Sequence, residues 1–113
     1  MEDTSGVYVM QVASILSGMH PQTLRKYERA GFLTPSRSNT LRMYSDEDIA
    51  RLRMIRHLVN KEGLNLAGVN LALKLQDSIL DIKEELVSVD ISHKLKRRLE
   101  GLLNELLGLL SKD

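Results

Sequence analysis

The 113-residue chain contains no cysteine, no tryptophan and only two prolines. Without thiols it has no disulfide, no thiolate metal site, no iron–sulfur cluster and no thiol redox switch. Aromatic residues make up 4% of the chain, so a core drawn from its 42% hydrophobic residues is an aliphatic one. No apolar run reaches the roughly eighteen residues that a membrane helix needs, so no membrane contact is expected. The start, MEDTSGVYVMQ, lacks the basic residues and apolar stretch of a signal peptide, which predicts a cytoplasmic protein. The three histidines, His20, His57 and His93, lie far apart, and no acid–histidine spacing offers a metal set. Ser, Asp and His form no recognisable triad, and Gly63, Gly68 and Gly101 are too scattered to cradle a phosphate. The chain therefore reads as neither an enzyme nor a cofactor protein. Its length suits one domain, or a small domain with an extension.

What remains is charge, and it is unevenly spread. The formal net charge is only +1. From His20 to Glu62, however, nine Lys and Arg face five Asp and Glu, a local +4. From Asp77 to Asp90 five acids face one lysine, a local −4. From Ile91 to the end five bases face three acids, a local +2. The first basic excess contains the string HPQTLRKYERAGFLTPSRSNTLRMYS, from His20 to Ser45. A short helix carrying Arg25, Lys26 and Arg29 ends at Gly31, and a turn-rich segment with Arg37 and Arg42 follows and closes on Tyr44. One cationic helix beside one basic loop is the layout of a winged helix-turn-helix, which sets a helix in the major groove and a wing on the flanking backbone.

The pattern of apolar residues organises the rest. Val9, Val12, Ala13 and Leu16 fall at helical spacing and predict a first helix, broken at Ser17-Gly18. His20-Pro21 opens the next, since proline at the first helical position loses no hydrogen bond. Leu24 and Tyr27 are spaced for the core, which leaves Gln22, Thr23, Arg25, Lys26 and Arg29 outward. Thr34 to Tyr44 predicts a hairpin-like wing. Ser45-Asp46-Glu47-Asp48 reads as a capping box for a third helix bearing Ile49, Leu52, Ile55 and Val59. Asn65 caps a fourth helix with Leu66, Val69 and Leu73 inward, and a break is expected at Ser88-Val89-Asp90. The last helix carries Leu95, Leu99, Leu102, Leu103, Leu106, Leu109 and Leu110. That stripe asks for a partner helix, so a homodimer is expected. Lys94, Lys96, Arg97 and Arg98 read as a solvated face, or as partners for the acidic segment, rather than a second nucleic-acid site.

Three strings resemble the DNA-binding domain of MerR-type transcription regulators: Thr23-Leu24-Arg25-Lys26-Tyr27-Glu28, Gly31-Phe32-Leu33-Thr34-Pro35 and Arg42-Met43-Tyr44-Ser45. The resemblance runs from about Val7 to Leu75. Within the family, His20 to Arg25 and Glu62 to Val69 are similar to the heat-shock repressor branch. The chain departs from the family at Lys26, where most members carry an aromatic, and at Ser38-Asn39-Thr40-Leu41, which lacks the usual glycine of the wing tip. Nothing after about Ser88 matches.

The resemblance implies a mostly α fold, with a winged helix-turn-helix domain over residues 7–75 and a helical dimerisation or interaction segment over 76–113. It implies repression of heat-shock and chaperone genes through a double-stranded inverted-repeat operator bound by a homodimer. The chaperone DnaK is the implied co-repressor, and its expected handle is the leucine-rich tail. Gln22, Thr23 and Arg25 are the expected base or groove-floor contacts. Lys26, Tyr27, Arg29, Arg37, Arg42 and Tyr44 are the expected phosphate contacts. Leu95, Leu99, Leu102, Leu103, Leu106 and Leu110 are the expected dimer residues. The alternatives are a MerR-type activator that distorts promoter DNA and a helical adaptor that never meets DNA.

Overall fold

The computed structural model describes residues 6–38 and 41–111. The expected wing tip at Asn39-Thr40 lies outside them. The elements in order are β1 (Tyr8–Val9), α1 (Met10–Ser17), α2 (Pro21–Arg29), β2 (Ser36–Ser38), β3 (Leu41–Tyr44), α3 (Asp46–Asn60), α4 (Leu66–Leu86) and α5 (His93–Ser111). The fold is mostly helical, with one small antiparallel sheet in the order β1-β3-β2. No helix among the described residues is long and apolar enough to cross a membrane. The chain divides into two compact units, Met1–His57 and Leu58–Asp113. The domain boundary expected after residue 75 falls inside the continuous helix α4.

In the first unit α1 and α2 are joined by a tight turn. Gly18 takes φ 72°, and its N–H and that of Met19 return to the Ser14 carbonyl at 3.0 and 3.1 Å. A side chain there would also collide with Arg56, whose Nη1 lies 2.5 Å from where a Cβ would sit. The His20 ring accepts from the Gln22 N–H at 3.1 Å, and Pro21 opens α2 as expected. The buried side of α1 is Ala13 and Ser17, four residues apart, whereas Val9, Val12 and Leu16 are exposed. Small residues form that contact, so the apolar spacing of α1 misstates which side faces inward.

Strand β1 has no counterpart in the sequence reading, because two residues are too few to show alternation. Tyr8 pairs with Tyr44 and Val9 with Met43. A Cβ at Gly6 would lie 2.1 Å from the Met43 backbone, so glycine is what lets the chain approach β3 there. The expected capping box forms: the Ser45 hydroxyl accepts from the Asp48 N–H at 3.0 Å, and the Asp48 carboxylate accepts from the Ser45 N–H at 2.9 Å. Leu24, Phe32, Leu33, Tyr44, Ile49, Leu52 and Ile55 are buried. Full burial of each such side chain contributes about 1.5–3 kcal/mol. His57 is buried as well, with neither ring nitrogen hydrogen-bonded among the described residues.

In the second unit Asn65 caps α4 by accepting from the Gly68 N–H at 2.9 Å. Val69, Ala72, Leu73 and Leu86 are buried, while Leu66 is exposed. The helix ends at Leu86, and Ser92 caps α5 through the Leu95 N–H at 3.2 Å. From the basic run, Lys96 Nζ donates to the Val87 carbonyl at 3.0 Å. Helices α4 and α5 pack on one another. On α5 the leucines split into two rows. Leu99, Leu103, Leu107 and Leu110 are half-buried and recur every three or four residues, so they form the face laid on α4. Leu95, Leu102, Leu106 and Leu109 are exposed.

Candidate nucleic-acid interface

Helix α2 presents its polar side as a unit because Leu24 and Tyr27, three residues apart, turn the opposite side into the core. Gln22, Thr23, Arg25, Lys26 and Arg29 together line one open depression along the helix. Gln22, Arg25, Lys26 and Arg29 are exposed and Thr23 is half-buried. Two amide- or hydroxyl-bearing side chains at the N-terminal turn, followed by three cations, supply both hydrogen-bonding groups and positive charge on one surface.

The hairpin β2–β3 supplies the other basic residues. Its register sets Arg37 directly opposite Arg42. Arg37 is half exposed, at 51% of its side chain, and Arg42 is at 30%. Arg42 Nε donates to both oxygens of Glu28, at 2.9 and 3.1 Å. An Arg37 Nη lies 3.6 Å from the same carboxylate. Glu28 is the single acid between His20 and Ser45, and it closes the Thr23–Glu28 string without being one of the expected contact residues. Its place in an otherwise basic string was the available signal.

The two tyrosines stand elsewhere. Tyr44 is fully buried and its hydroxyl has no hydrogen-bond partner in the described residues. It pairs across the sheet with Tyr8. A side chain with no exposed surface cannot touch phosphate in this conformation, so Tyr44 is a core residue and leaves the expected contact set. Burial pushes its hydroxyl above the ordinary value of 10.0, with Glu28 adding to the rise and Arg42 and Arg25 opposing it. Tyr27 is 6% exposed, its ring 5.8 Å from that of Phe32 and tilted by 32°. Burial raises its hydroxyl too. Only that residual surface remains for a phosphate contact.

Three arginines of α3 brace this region. Arg51 Nε donates to the Phe32 carbonyl, just past α2, and Arg53 Nε donates to the Leu16 carbonyl at 3.1 Å, near the end of α1. Arg56 lies over Gly18 in the turn between the two helices. Cations beside the last carbonyls of a helix favour its negative end, which ties the α1–α2 turn to α3.

Comparison with known proteins bears on the same region. The model of the MerR HTH family of regulatory proteins matches residues 8–76, which include α1, α2, the hairpin and α3. A protein of Streptomyces coelicolor named "Putative heat shock protein HspR" is 45% identical over 83 residues, 73% of this chain and 54% of that protein. The chain thus spans about half the length of the curated relative it matches.

Proposed function

This chain belongs to the MerR HTH family of regulatory proteins, and we propose that within it the chain is a sequence-specific repressor of heat-shock and chaperone genes. Residues 7–75 are its winged helix-turn-helix, with α2 the recognition helix and β2–β3 the wing. Residues 76–113 are its dimerisation segment. The observation that carries the reading is the gathering of Gln22, Thr23, Arg25, Lys26 and Arg29 on one open side of α2, next to the arginine-bearing hairpin. Such a face is what major-groove readout with phosphate anchoring requires. Gln22, Thr23 and Arg25 read base edges; Lys26, Arg29, Arg37 and Arg42 anchor phosphates, with Tyr27 limited to its small residual surface. The heat-shock assignment rests on the likeness to the Streptomyces coelicolor protein and its name.

The operator is an inverted repeat read by a homodimer. Support comes from Leu95, Leu102, Leu106 and Leu109 on the free side of α5, which repeat as a coiled-coil seam does. Antiparallel pairing about Leu102 sets Arg98 of one copy beside Glu105 of the other, four and three residues from the axis. The antiparallel, two-fold pair is therefore the favoured arrangement, and it presents two recognition helices to a symmetric site.

Footprinting on the genomic DNA upstream of chaperone genes tests the reading, because it returns operator, symmetry and promoter overlap together. Absence of any protected site in purified protein would leave the helical adaptor as the better account. Transcription in vitro then separates repressor from activator. DnaK is the proposed co-repressor, docking at the last turn of α5 near Leu109 and Leu110 when that end frays from α4 and from the dimer seam. Operator occupancy through a temperature ramp, with and without added chaperone, checks this. Reversible release unaffected by chaperone would assign heat sensing to the protein itself.

A further inference from the structure

We infer that Glu28 is a positioning residue for DNA recognition: it clamps both strands of the β2–β3 hairpin to α2 through Arg37 and Arg42 and limits the positive charge they offer to any phosphate. The inference rests on the DNA-binding reading and adds a specificity role for a residue of the opposite charge to DNA's usual contacts.

The geometry begins with an electrostatic conflict. Arg37 and Arg42 are directly opposite one another in the hairpin. Like charges in that relation destabilise a strand pair. The Glu28 carboxylate, projecting from α2, resolves it by accepting two hydrogen bonds from Arg42 and facing Arg37. Glu28 is largely buried, its side chain 19% exposed, so solvent screens these pairs less than it would at an open surface. One carboxylate thereby links three elements: α2, β2 and β3. The bonds to Arg42 run through Nε, and among the described residues its Nη groups are the donors left for a phosphate oxygen. A planar guanidinium held by one edge has the orientation of its other edge decided. The buried Tyr44 hydroxyl is raised by the charge of Glu28 and lowered by those of Arg42 and Arg25, in keeping with the carboxylate and these arginines acting on the same region.

Two opposed consequences follow from removing the carboxylate while keeping its shape. The hairpin arginines become freer and the surface one charge more positive, which strengthens attraction to any duplex. The hairpin loses its fixed distance from α2, which weakens the fit to one particular duplex. A merely structural residue would lower both affinities together.

The test compares wild type, E28Q and E28D on a duplex carrying the footprinted sequence and on a scrambled duplex of equal length, over a range of salt, with circular dichroism to follow folding. E28Q is expected to bind the scrambled duplex more tightly, with a salt slope steeper by about one. Its operator-to-scrambled ratio is expected to fall by about tenfold, the scale of one misplaced contact. E28D keeps the charge but shortens the reach, so its salt slope stays that of wild type while its ratio falls. R42K keeps charge without the guanidinium edge and should behave as E28D does. A folded E28Q with the wild-type ratio overturns the inference. If E28Q does not fold, a wild-type ratio in both E28D and R42K overturns it instead. A wild type that shows no preference for its footprinted sequence overturns the DNA-binding reading and this inference with it.

Discussion

In the first unit the large apolar side chains Leu24, Tyr44, Leu52 and Ile55 are wholly enclosed, and the polar ends of the elements find reciprocal caps. In the second, α5 covers one of its leucine rows with α4 and leaves the other in water, with Leu102 at 50% and Leu109 at 66% exposure. Helix α4 does the same with Leu71, Leu75 and Ile82. Both units use the same kind of residue at the same helical spacing. The difference is that one has enough elements to wrap its core and the other is a pair of helices with two outer faces. Such uncovered rows are the surface on which the proposed dimer rests.

The sharpest way to break that comparison is to make the free α5 row unable to meet its own copy. L102K combined with L106K should yield a monomer in sedimentation experiments and lower operator affinity by about 10²–10⁴-fold, the scale lost when two linked modules no longer bind together. Truncation after Val89 should do the same. A dimer that survives both changes would mean that the row serves a different partner.

A second prediction concerns the closed core. Leu52 is completely buried, and L52A is expected to cost about 2–5 kcal/mol in denaturant unfolding. L102A, on the half-exposed row, should cost far less in a monomeric variant. Equal losses would remove the contrast between the units.

Within the first unit, R25A should weaken operator binding by about 1–3 kcal/mol and relax preference at one base position. R42A should instead weaken every duplex, flatten the salt slope by about one and, through the lost contact to Glu28, lower the operator-to-scrambled ratio without relaxing preference at any single base position. Operator titrations with single-base variants separate the two patterns, and identical behaviour would dissolve the division between helix and hairpin.

The smallest effect is expected at Tyr44. Its hydroxyl is buried and unpaired, so Y44F should change stability by no more than about 1 kcal/mol, toward greater stability, and leave operator binding unaltered. The pH dependence carries the same sign. The folded-state hydroxyl ionises above 10.0, so stability is intact below that pH and declines as the unfolded chain ionises first. Y44F should make that alkaline decline shallower in melts taken across the range. Loss of DNA binding in Y44F would restore Tyr44 to the phosphate contacts.

Much of this architecture is local and was therefore legible. Pro21, Gly31, the Ser45–Asp48 box and Asn65 act on neighbours within four residues, and each marks an element end where the spacing places it. The outward set of α2 follows from a 3.6-residue period once Leu24 and Tyr27 are assigned inward. The short strand β1 and the inward side of α1 were not legible. Tyr8 meets Tyr44 across 36 positions of sequence, and Ala13 is enclosed only because other elements arrive around it. Tyr44 shows the limit most plainly, since its motif neighbours a basic residue while its ring fills the core. Sequence by itself decided where the helices begin and end and which side of α2 is cationic, because capping and periodicity depend on a few adjacent residues. Only the tertiary structure decided that Tyr44 is interior, that Glu28 joins Arg37 and Arg42, and that α5 has one covered and one open leucine row. Each of those depends on which distant segment comes to lie alongside, and no local pattern carries that distance.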